Sequence, residues 1–400
     1  MSDQMTHVEA VASPELPRCP LMPTYGAPSV KFVRGEGTRL WDEHGKEYLD
    51  FLSGLAVVSL GHSHPVVAAA IATQARTLQH VCNLYATEPG WEVAVTLDRL
   101  LGGGGQVFLC NSGAEANEAA IKLARRWAGH GRHVVVSALR SFHGRTLATL
   151  HATGQPEKHE PFQPLPEGFR HVPYDDIEEL ERTIDATVAA VLLEVVQGEG
   201  GVNTASSEYW HAVRRLCDER GLLLMIDEVQ TGLGRTGEWF AFQHSGVQPD
   251  VVTIAKALGN GMPIGACWAR AEVAAAFRPG DHGSTFGGQP LAASAAKAVL
   301  AVMEEIDAPA LARRQGDTLR QALLALDGVS EVRGLGLLLA AELTPEALAG
   351  RTAAQVAAAC LEAGLVLNGV TPTAVRFAPP LTVSGAEIAA AIDIFHEVIS

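Results

Sequence analysis

Between residues 107 and 268 the chain returns repeatedly to short apolar runs, at 107–110, 134–137, 188–193, 222–226, 251–255 and 265–268. Segments with helical spacing of apolar residues lie between several of them, as at 114–127 and 209–219. Runs this short, apolar throughout and alternating with helices predict strands of a mostly parallel α/β sheet. No other feature restricts the fold as strongly, because parallel strands require crossover connections and both faces of their sheet require cover.

Four hundred residues exceed one ordinary hydrophobic core, so more than one subdomain is expected. Residues 1–20 are acidic and proline-bearing and read as a mobile arm. Residues 21–75 hold short strands around 32–34 and 39–41 and then an alanine-rich helix from Pro65; they read as the first part of a small domain. Residues 76–305 form the large domain, with the four glycines at 102–105 as a loop into its first strand. Residues 306–400 read as the rest of the small domain: helix, strands at 331–332 and 336–343, a helix at 353–363, then strand and helix.

Two strand ends carry chemistry. Lys256 follows the apolar run 251–255, and Asp227 follows 222–226. Burial disfavours an ammonium ion, so an amine there becomes a candidate nucleophile toward carbonyls. A strand-end lysine and a strand-end aspartate together suit pyridoxal phosphate, the first for the covalent link and the second for the pyridinium nitrogen. Either residue alone reads more simply as a surface lysine or a loop carboxylate.

Further stretches extend that reading. In Asn111-Ser112-Gly113-Ala114-Glu115-Ala116-Asn117 a strand turns into a helix, which aims free backbone N–H groups and the positive end of a helix dipole at one point, an anion site. Ser112 and Glu115 also have the spacing of a capping box, which many helices carry without binding anything. Thr285, in a Gly/Ser/Thr loop, offers a hydroxyl. Phe142 offers a face to a planar ring, and Arg145 in the same stretch offers a guanidinium to a carboxylate. Glu199, in Gln197-Gly198-Glu199-Gly200-Gly201, places a carboxylate in a flexible turn, while Arg376 lies in an apolar setting that calls for an anionic partner. Each of these also suits a turn or a salt bridge. The Gly232-Leu233-Gly234-Arg235-Thr236-Gly237 stretch approaches dinucleotide spacing but lacks a helix start after it, and His62 and His64 lack a third ligand nearby, so no metal site is expected.

The formal charge of −15 argues against nucleic acid or an anionic membrane as partner, and leaves carboxylate substrates dependent on local arginines. Six widely spaced cysteines without a CxxC pair suggest reduced thiols of a cytoplasmic protein. No run approaches the length of a membrane span, and the first residues lack a basic-then-apolar signal.

Five stretches in order, 111–118, 141–146, 197–201, 227–232 and 255–259, resemble the successive signatures of the class III (ω) aminotransferases, and the resemblance covers nearly the whole chain. It implies fold type I: a mostly parallel central sheet flanked by helices, and a smaller α+β domain built from both ends of the chain. It also implies pyridoxal 5′-phosphate as cofactor and a cytoplasmic homodimer with shared active sites, acting on small amino-acid substrates.

By the same resemblance, Lys256 would bind the cofactor covalently and Asp227 would pair with its ring nitrogen. Ser112, Gly113 and Ala114 would hold the phosphate, with Thr285 reaching it from the neighbouring subunit. Phe142 would stack on the ring and Gln230 would lie near its phenolic oxygen. Arg145 would take the far carboxylate of substrate, Arg376 the α-carboxylate of glutamate, and Glu199 would neutralise Arg376 for the other substrate. Tyr25 would touch substrate. The resemblance is strongest to the branch that transfers the amine of N-acetylornithine to 2-oxoglutarate in arginine biosynthesis. Alternatives are ornithine, succinylornithine, succinyl-diaminopimelate or 4-aminobutyrate as donor, an aminomutase on the same fold, and a nucleotide-binding or oxidoreductase reading of the glycine-rich turns. Two departures stand out: Glu194-Val195-Val196 where relatives usually have Glu-Pro, and Leu55 where ornithine enzymes tend to carry tyrosine.

Overall fold

The computed structural model describes residues 21–400; the expected arm at 1–20, with Cys19, lies outside the described residues. The N-terminal strands β1 (Phe32–Glu36), β2 (Arg39–Asp42) and β3 (Glu47–Asp50) make an antiparallel meander. The central sheet then takes β4 (Gly105–Cys110), β5 (Val134–Ala138), β6 (Phe169–Val172) and β7 (Val188–Glu194). A short ribbon of β8 (Val196–Gln197) and β9 (Asn203–Thr204) follows, and β10 (Leu223–Asp227), β11 (Val251–Ile254) and β12 (Gly265–Arg270) complete the sheet. Its order is β4-β12-β11-β10-β7-β5-β6.

β12 is antiparallel to both of its neighbours, and every other pairing in the sheet is parallel. All six expected strands form, with ends within two residues of the apolar runs. β5, β7, β10 and β11 are buried at every position, which is why they read as unbroken apolar stretches. The edge strand β6, Phe169-Arg170-His171-Val172, was not expected, because an edge strand needs no continuous apolar run.

In the C-terminal region β13 (Val329–Leu335), β14 (Leu338–Leu343), β16 (Asn368–Gly369) and β17 (Ala374–Phe377) form a second sheet, while β15 (Leu365–Val366) joins β3 in the N-terminal meander. The two ends of the chain thus share a sheet. Arg235 fastens both ends to the centre. Its guanidinium is buried and donates to the carbonyls of Leu337 (3.1 Å) and Pro379 (2.5 Å) and to Ser59 Oγ (2.9 Å). The glycine-rich stretch 232–237 therefore delivers a staple rather than a nucleotide loop; turns, not a helix, follow it.

Candidate active site

The parallel strands bring their C-terminal ends to one side of the sheet, where ligands of open α/β folds bind. Asp227 pairs in register with Glu194 on β7 and with Thr253 on β11, and Lys256 lies just past the end of β11. A cavity of about 390 Å³ opens there, lined by Ser112, Gly113, Ala114, Phe142, Arg145, Glu194, Glu199, Asp227, Gln230 and Lys256 among others. Of the twelve residues singled out from the sequence, nine meet at this cavity. Arg376 contacts it from behind through Glu199 and Gln230.

Lys256 opens a single 3-10 turn with φ of +45°, a left-handed conformation that a side chain adopts at a cost of order 1–3 kcal/mol. That turn sends the amine into the cavity instead of onward along the strand. Burial, together with Arg376 and against the opposing pull of Glu199, Asp227 and Glu194, brings the Lys256 pKa down to about 8.

Asp227 is buried and held by three donors: Asn117 Nδ2 (2.7 Å) and His143 Nδ1 (2.8 Å) at one oxygen, Val229 N (3.0 Å) at the other. Asn117 is fixed in turn by Thr253 Oγ1 at 2.7 Å and donates to the His143 carbonyl at 2.8 Å. These contacts immobilise the carboxylate while it still faces the cavity, as a partner for a ring N–H must. Beside it, Glu194 accepts from Phe142 N at 3.0 Å, and its carboxyl is held above the usual range by burial, with His143 opposing and Asp227 adding to the shift.

Sequence reasoning assigned no role to His143, Asn117, Thr253 or Glu194. A signal existed for one of them: Asn117 is the polar residue among the buried Ala116, Ala120, Ile121 and Ala124 of its helix, and a buried amide needs a partner.

The Gly113–Ala128 helix begins at the cavity. Ser112 Oγ accepts from Glu115 N at 3.2 Å, as a capping box requires, but the Glu115 carboxylate reaches past the cap to Asn111 N (2.7 Å) and Asn111 Nδ2 (2.8 Å). The box is therefore half formed, and the Ser112, Gly113 and Ala114 N–H groups have no helical acceptor. Gly113 is required for space, since a Cβ there would meet Val229 Cγ1 at 2.7 Å.

Arg376 is fully buried on β17. It donates from Nη1 to the Gly198 carbonyl and to Glu199 Oε1, each at 2.9 Å, and from Nε to Asn368 Oδ1 at 3.1 Å, while Nη2 has no partner among the described residues. Burial raises the Glu199 pKa, but Arg376 outweighs it and the carboxyl titrates below its ordinary value. On the opposite side, the exposed Arg145 guanidinium lies 5.5 Å from the Phe142 ring centroid.

Two expected residues do not reach the cavity of their own chain. Tyr25 is 89% exposed, and Thr285 is exposed on a loop whose Ser284 accepts from Asn111 Nδ2 at 3.0 Å. His62 is engaged by Asp50 Oδ2 at 2.7 Å.

The residues present fit pyridoxal phosphate: an amine, a carboxylate facing the place of a ring nitrogen, an aromatic face, and a helix start with unclaimed N–H groups for a phosphate. The Aminotransferase class-III family description matches residues 23–399. The chain is 47% identical to the acetylornithine aminotransferase of Caldanaerobacter subterraneus subsp. tengcongensis, over 95% of this chain and 97% of that one. It is 48% identical to that of Mycolicibacterium smegmatis, over 93% and 94%. Among solved structures, N-acetylornithine aminotransferase from Stenotrophomonas maltophilia superposes with a TM-score of 0.82 at 37% identity, over 94% and 96% of the two chains. Ornithine aminotransferase from Toxoplasma gondii gives 0.88 at 34%, over 95% and 92%. The strand-end lysine and aspartate, the helix start and the match along nearly the full length lead to one conclusion: this chain belongs to the class III aminotransferases.

Proposed function

We propose that this enzyme transfers the δ-amino group of N-acetylornithine to 2-oxoglutarate, giving N-acetylglutamate 5-semialdehyde and glutamate, as a step of arginine biosynthesis. The observation that carries the reading is the pair of arginines at one cavity, Arg145 in its lining and Arg376 behind it, closed off by Glu199. N-acetylornithine carries a carboxylate only at the end far from its reacting amine, so it needs Arg145 alone. Glutamate carries one at each end and needs both arginines. Glu199 answers the difference by masking Arg376 for the first substrate and releasing it for the second. Leu55, whose carbonyl accepts from Gln230 Nε2 at 3.3 Å, is aliphatic where ornithine enzymes tend to carry tyrosine, in keeping with an acylated donor.

Pyridoxal 5′-phosphate supplies a carbonyl for the amine and an electron-accepting ring. Ser112, Gly113 and Ala114 would hold its phosphate and Phe142 would cover its ring. Asp227, fixed by Asn117 and His143, would keep a proton on the ring nitrogen. The Lys256 amine, lowered toward neutrality, would bind the cofactor between turnovers and, once displaced by substrate, carry the proton from the amine-bearing carbon.

The working unit we infer is a cytoplasmic homodimer. Leu84, Tyr85, Trp91 and Val95 are exposed large apolar side chains in neighbouring surface grooves, a feature that marks an interface, and Phe286 is a further exposed one. Thr285, beside Phe286, would then reach the partner's phosphate site, and Tyr25 would act from the segment that precedes β1. The five cysteines of the described residues are free, as suits a reducing compartment. We take 21–75 and 306–400 as one small domain against 76–305, on the strength of the shared β3–β15 pairing.

One spectroscopic experiment tests the reading. N-acetylornithine alone, added to the holoenzyme, is expected to bleach the visible band of the cofactor, and 2-oxoglutarate to restore it. In Glu199→Ala the bleaching by N-acetylornithine should slow far more than that by glutamate. Bleaching by ornithine or 4-aminobutyrate but not N-acetylornithine would replace the substrate, and equal slowing of both halves would remove the switch.

A further inference from the structure

Lys158 belongs to none of the motifs above and lies outside the cavity lining, yet it is half-buried beside Phe142, which lines the cavity. It lies on the short helix Pro156–His159, next to the buried His159, whose Nε2 is tied to the Thr153 carbonyl at 2.6 Å. Its ammonium is bonded to Gln155 Oε1, and the amide of Gln155 donates to the Ser141 carbonyl at 2.9 Å, one residue before Phe142. Lys158 Nζ is thereby held 5.7 Å from the Phe142 ring centroid, while Arg145 Cζ lies 5.5 Å from the same centroid.

Neither cation forms an ion pair with a carboxylate among the described residues, and Glu199, whose charge reaches Lys158, is engaged by Arg376. Two cations gathered on one aromatic ring repel each other, and partial burial with the nearby Arg145 draws the Lys158 pKa down. In a chain of net charge −15 such a pair has an evident complement, an anion brought by the substrate.

We propose that Lys158 is a second substrate-binding cation, which with Arg145 clamps the carboxylate that lies far from the reacting amine. Gln155 takes one of its three N–H donors and leaves two for that carboxylate and, in an N-acylated donor, for the adjacent acyl carbonyl. The inference rests on the reading that far carboxylates are taken at Arg145. It adds that selectivity for such carboxylates is set by two cations and not by the guanidinium alone.

The test compares holoenzyme carrying Lys158→Met, which keeps an unbranched stem, and Lys158→Arg, which keeps the charge. A charge-assisted hydrogen bond of ordinary strength corresponds to about 10- to 100-fold in binding. Lys158→Met is expected to weaken calorimetric binding of glutarate, a non-reacting dicarboxylate, by about tenfold or more. It should raise KM for N-acetylornithine and 2-oxoglutarate similarly while kcat changes little, and Lys158→Arg should restore most of the loss. Unchanged glutarate affinity, or a fall in kcat and melting temperature that Lys158→Arg does not repair, would overturn the proposal. Glutarate binding does not depend on which amine is the donor. Weakened binding in an enzyme that ignores N-acetylornithine would therefore keep Lys158 and discard only the substrate.

Discussion

An amine that must act as a nucleophile at neutral pH has to lose its proton more easily than an ordinary lysine. Lys256 achieves this through enclosure and through the nearby Arg376, against the pull of three carboxylates. The deprotonated amine is the reactive form, so raising the pH through about 8 increases it, and the gain ends once the group is fully deprotonated. Capture of pyridoxal phosphate by the apoprotein should rise about tenfold between about pH 7 and about pH 9 and then level off, followed by absorbance after rapid mixing. A rate still climbing about tenfold per pH unit above about pH 9 would mean an ordinary lysine. The lysine itself was legible as a residue closing an apolar run. Its left-handed φ and the field around it arise from strands distant in sequence.

Among the elements, the Gly113–Ala128 helix makes the sharpest demand on its sequence. A Cβ at Gly113 would press on Val229 Cγ1, and both residues line the cavity. Relief requires that the helix start or the 227–232 turn move, at a cost of about 1–3 kcal/mol. Gly113→Ala should therefore lose cofactor affinity by an order of magnitude or more in a fluorescence titration, while Gly385→Ala, at another helix start where nothing lies within 4 Å of the added Cβ and φ is not positive, should not. Wild-type affinity in Gly113→Ala would remove this turn as the phosphate cradle. Elements buried on both faces, such as β7 and β10, were plain in the sequence. β3 and β6 were not, since Glu47-Tyr48-Leu49-Asp50 and Phe169-Arg170-His171-Val172 mix charge with apolar residues, as short or edge strands can.

At the scale of the whole molecule, two features tie the chain together or leave it unfinished. Arg235, buried without a carboxylate partner among the described residues, joins Ser59 to Leu337 and Pro379, and burial draws its pKa down to about 9. The face bearing Tyr85, Trp91 and Val95 is the unfinished side. Trp91 is 68% exposed, so replacing it should spare the fold of one protomer and disturb only what covers it. On the proposed dimer, Trp91→Asp should shift the sedimenting species toward monomer with an unchanged far-ultraviolet spectrum, and weaken cofactor retention if Thr285 works across subunits as proposed. A variant that remains dimeric would place the interface elsewhere.

The sequence by itself determined six of the seven strands of the central sheet, the strand-end lysine and aspartate, the helix capped by Ser112 and the arginines available to carboxylates, because each depends on local spacing of apolar, glycine and charged residues. The family resemblance implied that Glu199 answers Arg376, 177 residues away, but only the tertiary structure decided the geometry of that contact, that Asn117 and His143 hold Asp227, and that Lys158 shares a ring with Arg145. These are contacts between different strands, helices and loops. Their free energy depends on angstrom-scale separations and on exclusion of water, which a linear pattern of residue types does not encode.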